Sequence, residues 1–263
     1  MNIRKKRTFI GIDLAWKSDR NHSGGAVLEG DSRELVLRVI SSGLDTLESI
    51  ERFIDRNTET DTVVAIDAPL VIHNLEGQRA CETEISRRFS YADASAHTSN
   101  LKLYPNARSV HFRRDLENRG FEHCPQSHAS KMSGKWFFEV YPHPAHVIMF
   151  RRERIIKYKK GRVESRKAGL KEFRQNLHQH LSISQPALKI EGALKQFIAQ
   201  PLDELRGIAL KHYEDKLDAV FCAYLAAYFW AWSYARNEMI GTRENGYIIN
   251  PMKEGVHGRS REN

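Results

Sequence analysis

The sequence predicts one α/β domain built on a mixed sheet, and three observations carry that expectation. Two β-branched runs end in aspartate, Phe-Ile-Gly-Ile-Asp13 and Val-Val-Ala-Ile-Asp67, and a segment of helical spacing separates them. A nearly continuous apolar stretch, residues 217–235, reads as a buried helix, although its length approaches that of a membrane span. At 263 residues, 41% hydrophobic and 28% charged, the chain is long enough for a three-layer core.

The elements follow in order. Residues 8–14 form a buried strand. Gly24-Gly25 marks a turn, and residues 26–30 and 34–40 are two more strands, meandering with the first. Leu44, Leu47, Ile50 and Ile54 make residues 45–56 an amphipathic helix. Residues 62–67 are a fourth strand, stopped by Pro69. Three antiparallel strands, a helical crossover and a further strand open the ribonuclease H-like fold. Residues 79–89 read as a charged helix. Residues 90–135 show no sustained period and are expected as an irregular insertion of loops and short helices. Residues 136–141 are a fifth strand, and Pro144 suits the first turn of a helix after it. Leu170, Phe173, Leu177 and Leu181 mark a helix within a basic segment, about residues 151–181. Residues 188–198 are a further candidate helix, 213–235 the long core helix, and 247–250 a last short strand. The domain is expected to span residues 1–252, with 253–263 a disordered tail.

Four aspartates carry the chemistry. Asp13 and Asp67 end strands, where α/β proteins open onto their ligand crevice. Asp215 and Asp218, three residues apart, share one helix face, and Asp218 sits against an otherwise apolar surface. Together they suit a Mg2+ or Mn2+ site and phosphodiester hydrolysis, with two ions about 3.5–4 Å apart. The competing readings are a turn cap for Asp13 and Asp67 and a helix N-cap for Asp215. Glu139 is a weaker candidate ligand, or else a partner of Arg79. Arg79 itself would clamp a phosphate or pair with Glu82 along its helix. His143-x-x-His146 and Cys124-x3-His128 have spacings that would supply zinc ligands, but no second pair supports either.

The net charge is +8, and residues 151–174 hold eleven Lys or Arg and three Glu, an excess of 11 − 3 = +8. Such a focus suits the backbone of a nucleic acid, DNA or RNA, or is merely a solvated face. Three scattered cysteines fit a reducing, cytoplasmic setting, and no signal-peptide pattern or membrane anchor is read at the N-terminus. Phosphate-loop, dinucleotide, zincin and serine-hydrolase fingerprints are missing from the sequence.

Several stretches taken together resemble the domain-of-unknown-function 429 family, whose members are described as ribonuclease H-like nucleases. They are Gly11-Ile-Asp13-Leu-Ala-Trp16, Ala65-Ile-Asp67-Ala-Pro69-Leu70, Gly77-Gln-Arg79-Ala-Cys-Glu82, Glu139-Val-Tyr-Pro-His143-Pro-Ala, Tyr158-Lys159, Arg166-Lys-Ala-Gly169-Leu170 and Asp218-Ala-Val-Phe-Cys-Ala-Tyr224. More distantly the chain resembles Holliday-junction resolvases of the RuvC kind. That likeness implies catalytic roles for Asp13, Asp67, Asp215 and Asp218, with Asp13 bridging the metals, Asp67 and Asp218 binding one each and Asp215 assisting. The fourth-strand acid is Asp here, where the resolvases have Glu. Trp16, Arg79, Glu82, His143, Lys159 and Arg166 stand as candidate substrate-binding residues. A metal-dependent nuclease is the leading expectation. The alternatives are a non-catalytic nucleic-acid-binding module and an actin-like nucleotide-binding phosphotransferase.

Overall fold

A computed structural model describes residues 6–17, 21–123 and 133–253. Its centre is a seven-stranded sheet in the order β5-β6-β4-β1-β2-β3-β7. The strands are β1 (Arg7–Asp13), β2 (Ser23–Gly30), β3 (Glu34–Leu44), β4 (Thr62–Asp67), β5 (Glu122–His123), β6 (Lys135–Glu139) and β7 (Ala187–Leu188). β1, β2 and β3 pair antiparallel, while β1–β4, β4–β6, β5–β6 and β3–β7 pair parallel. This meander followed by a crossover to a parallel β4 is the mixed α/β arrangement expected of a ribonuclease H-like fold.

The period of two along each strand divides the core. Phe9, Val63, Ala65 and Phe138 point to one face, where α7 (Gly207–Trp232) and α5 (Val163–Asn176) cover them. Ile10, Ile12, Val64, Ile66 and Phe137 point to the other, against α1 (Leu47–Asn57) and α3 (Arg108–Asn118). A smaller cluster joins α2 (Ala80–Phe89) and α4 (Pro142–Met149) to a hairpin of β8 (Asn237–Thr242) and β9 (Gly246–Pro251). A parallel bridge between Val140 and Ile249 ties that hairpin to the end of β6. α6 (Gly192–Ala199) packs beside β3.

Five elements differ from expectation in place or extent. α3 lies inside the supposed irregular stretch; only Phe112, Leu116 and Ser109 of it are buried, too narrow a stripe to stand out as a period. Residues 188–198 divide into β7 and α6. β8, with two of its six residues buried, lacks the apolar run of a core strand. α7 begins at Gly207, eight residues before Asp215, and its first turns bury only Leu210 and Tyr213, too few to mark a helical period. Cys124, His128 and residues 254–263 lie outside the described residues. Among the described residues, no helix is long and apolar enough to cross a membrane.

Candidate functional site

Asp13 and Asp67 are the last residues of β1 and β4 and stand opposite each other in the parallel register. Counting by twos from Phe9 and Gly11, and from Val63 and Ala65, both carboxylates fall on the α7 face. Two glycines let α7 come close enough to meet them. A Cβ on Gly11 would sit 2.1 Å from both the Ala219 carbonyl oxygen and the Ala223 nitrogen, and one on Gly24 would sit 2.2 Å from the Asp215 carbonyl oxygen. The helix backbone therefore rests on the sheet backbone. Asp215 and Asp218 project from its interior turns, both 0% exposed. An N-cap role for Asp215 is excluded, because the N-cap is Arg206.

Each helix aspartate has a cationic neighbour. The Tyr158 hydroxyl donates to Asp218 Oδ1 at 2.6 Å, and Lys159 Nζ lies 3.1 Å from Oδ2. Lys211, one turn before Asp215, donates to its Oδ1 at 2.6 Å and to Glu214 at 2.9 Å. Arg166 reaches Glu214 at 3.0 Å. Asp215 Oδ2 and Asp218 Oδ2 are both buried with no hydrogen-bond partner among the described residues, although the Lys159 ammonium stands beside the latter.

The crowding shows in the acidities. Burial, the largest cause, pushes Asp67 up to about 8; Lys159 opposes it, and the Asp13, Asp218 and Glu139 charges add to it. Burial and then Asp13 push Asp215 up to about 8. Asp218 rises less, to about 6, because Lys159 offsets part of its burial. Burial pulls the Lys159 ammonium down, but Asp218, Tyr158, Asp13 and Asp67 outweigh it and hold the group well above its ordinary value.

These groups line or back a cleft of about 590 Å3. Trp16 forms part of its wall, edge-on to Tyr104 with ring centroids 4.7 Å apart. His143 lines it too; burial, then the nearby Lys159, push its imidazole down to about 3, so it is neutral at physiological pH. Lys17, Lys160, His97 and Tyr141 also line it, and sequence reasoning did not single them out. Lys211 was also missed. Its spacing of i, i+4 to Asp215 is visible only once the helix is carried back past residue 213.

Glu139, Arg79 and Glu82 form an ion network at one side of the same cleft. Glu139 pairs with Ile66 in the register and so lies on the α1 side of the sheet, yet with Arg79 and Glu82 it lines the same cleft as Asp13, Asp67 and Asp215. Arg79 donates to both its oxygens, at 3.0 and 2.6 Å, to Glu82 at 2.9 Å and to the Val71 carbonyl at 3.1 Å. Four of its five N–H groups are thus taken by protein acceptors. Leu70 N–H adds a further bond to Glu139 at 2.8 Å, and Ser99 holds Glu82 through its amide, at 3.1 Å, and its hydroxyl. This buried ion network fixes the loop after β4 against β6.

A family model described as "Protein of unknown function (DUF429)" matches residues 11–237. The chain belongs to the DUF429 family. No curated protein matches it. The matched span of this DUF429 chain includes all four aspartates, Lys159 and Gly169. Gly169 has a local reason: a Cβ there would lie 2.3 Å from the Lys157 carbonyl oxygen, so α5 meets the Tyr158-Lys159 segment backbone to backbone and sets Lys159 against Asp218.

The basic segment is mostly spent within the fold. Lys159 and Arg166 meet Asp218 and Glu214, Lys171 meets Asp203, and Arg152 meets Glu172. Arg154 and Lys157 meet Asp93, Lys167 donates to the Asp203 carbonyl at 2.9 Å, and Arg174 donates to the carbonyls of Ile198 and Gln200. The run does not form an open cationic surface in proportion to its charge.

The four carboxylates offer oxygens of the kind a hard divalent cation prefers, and Asp215 Oδ2 and Asp218 Oδ2 are buried without a hydrogen-bond partner among the described residues. The set is not preassembled. Among the described residues, no three His, Cys, Asp or Glu side chains stand close enough together to hold an ion.

Proposed function

We propose that this DUF429 protein hydrolyses phosphodiester bonds in nucleic acid with the help of Mg2+ or Mn2+ at the aspartate cleft. The observation that carries the reading is the in-register pair Asp13 and Asp67, directed at the helix face that bears Asp215 and Asp218. A divalent ion at such a site polarises the phosphate and supplies a nucleophilic water near neutral pH. Asp13, Asp67 and Asp215 would hold it through hard oxygens. Lys17 and Lys160 would meet phosphate oxygens along the cleft wall, and Trp16 offers a ring against which a base stacks. Neutral His143 would contribute a hydrogen bond and no charge.

The shape of the site narrows the substrate. A cleft of about 590 Å3 with few uncommitted cations around it suits a strand end or a short single strand better than a long duplex. The test is Mn2+-dependent cleavage of labelled DNA and RNA, from dinucleotides to branched junctions, by the wild-type chain and by Asp13→Asn and Asp67→Asn. Cleavage that requires metal and drops by at least about 100-fold in both variants is expected (about 2.7 kcal/mol of transition-state stabilisation). Binding that survives both substitutions and chelation, with no cleavage, would replace this reading with a nucleic-acid-binding module.

A further inference from the structure

A second concavity lies apart from the aspartates. It encloses about 610 Å3, against about 590 Å3 for the cleft, and the two meet opposite ends of α4. Tyr141 and His143 line the cleft at the start of that helix, and Met149, Arg151 and Arg152 line this groove at its end. A helix of eight residues is about 12 Å long, so the two are neighbours.

Their charges differ. Six Lys or Arg and six Asp or Glu line the cleft, so its formal charges cancel. Arg151, Arg152, Arg236 and Lys253 line the groove, with Glu153 as its one acid among the described residues, an excess of three positive charges. Arg152 also meets Glu172, which is not part of the lining. The Arg236 guanidinium sits 3.6 Å over the Trp232 ring, and among the described residues no carboxylate pairs with it. Trp232 is itself fixed, its indole N–H donating to the Gln185 carbonyl. A guanidinium held by its face keeps its N–H edge for an anion. On the groove wall, burial and then Arg151 and Arg152 push the His180 imidazole down, so those two guanidiniums crowd the same space.

Arg151 occupies an unfavourable backbone position. Its N–H donates to the Ile148 carbonyl at 3.2 Å and the Arg152 N–H to the Val147 carbonyl at 2.9 Å, which closes α4 in a Schellman motif. The motif puts residue 151 in the left-handed region, with φ at 51°, where glycine is the usual occupant. Capping alone favours glycine there; the chain carries instead a cation that lines the groove.

We infer that this groove binds single-stranded nucleic acid, with Arg151, Arg236 and Lys253 meeting its phosphates. The inference shares the nucleic-acid partner of the reading above and none of its metal chemistry. The electrically balanced cleft has little with which to hold a polyanion. The groove, one helix length away, supplies that attraction and leaves the strand end to the cleft. Positive grooves of this kind track one backbone.

Fluorescence anisotropy of a short labelled oligothymidylate on the full chain, in EDTA, tests binding apart from catalysis. Arg151→Gly and Arg236→Ser should each weaken binding and make the plot of log K against log salt shallower by about 0.7, the share of one cation on a single strand, and together by about 1.4. Arg151→Gly should also melt no lower than wild type, because glycine suits the left-handed position. A variant that folds at least as well and binds less well separates recognition from support of the fold. Wild-type affinity and slope in the double variant would overturn the inference, as would failure of the wild-type chain to bind the strand at low salt. With cleavable substrates, the double variant should cut a dinucleotide at the wild-type rate and a longer strand with raised KM and unchanged kcat. Strand binding that is lost in the double variant, with no cleavage by the wild type, would end the nuclease reading and leave this site standing. Should the double variant fail to fold, Arg151→Gly combined with Lys253→Ala carries the same test.

Discussion

Asp67 and Asp215 carry the largest upward shifts among the site carboxylates, and the sign of the resulting pH dependence can be worked out. Asp67 has an ordinary value of 3.8 and is pushed up to about 8 in the fold. Between those values the folded state holds a proton that the unfolded chain has lost, so stability falls as pH rises from about 4 to about 8. Asparagine mimics the neutral form. In chelator, Asp67→Asn should therefore melt at nearly the wild-type temperature near pH 4–5 and above it at pH 8, by about 2–4 °C for each kcal/mol relieved. Scanning fluorimetry across that range checks this, and an equal shift at both ends would show that the carboxylate is not the titrating group. Arg79 gives the opposite case. It neutralises buried Glu139 and Glu82, with side chains 2–3% exposed. Arg79→Met leaves those charges unpaired and should cost about 3–5 kcal/mol in urea unfolding. Arg79→Lys should recover little, because an ammonium cannot reproduce the two-pronged geometry.

At the scale of elements, the site is set by how closely α7 lies on β1 and β2. Gly11→Ala forces a methyl into the backbone of Ala219 and Ala223. The helix must lift, which should cost about 1–3 kcal/mol or more and weaken Mn2+ binding, because Asp215 and Asp218 move with it. Denaturant unfolding and Mn2+ titration on the same sample check both parts. Sequence periodicity was enough to find β1 to β4 and α1, whose residues repeat cleanly by two or by 3.6. It misplaced the start of α7, left α3 unlocated among the short helices expected in residues 90–135, and missed β8, where local pattern is weak. The four aspartates were legible because carboxylates at strand ends and on an apolar helix are out of place in a core. The Arg79–Glu139 pair was visible only as an alternative. Which face Glu139 occupies depends on its register with Ile66, and a strand read alone does not state its register.

Over the whole molecule, the question is where the charge of +8 goes. Eleven cations between residues 151 and 174 would give a slope of about −10 in log K against log salt if each met a phosphate of a duplex. Most are paired internally, so the slope for nucleic-acid binding should be no steeper than about −4. Fluorescence anisotropy at several salt concentrations measures it. A slope near −10 would mean that the internal pairs open on binding.

The sequence by itself determined the sheet's opening strands, the long apolar helix and the four aspartates as the residues to examine. These are local properties: side-chain period, β-branching, and a charge where hydrocarbon surrounds it. Tertiary structure alone decided that Asp13 and Asp67 face α7 while Glu139 does not. It also decided that Lys159 is committed to Asp218 and that the basic run is largely consumed by partners dozens of residues away. A charge in the sequence has a sign and a place in the chain; what it neutralises depends on which other charges the fold brings within a few ångströms.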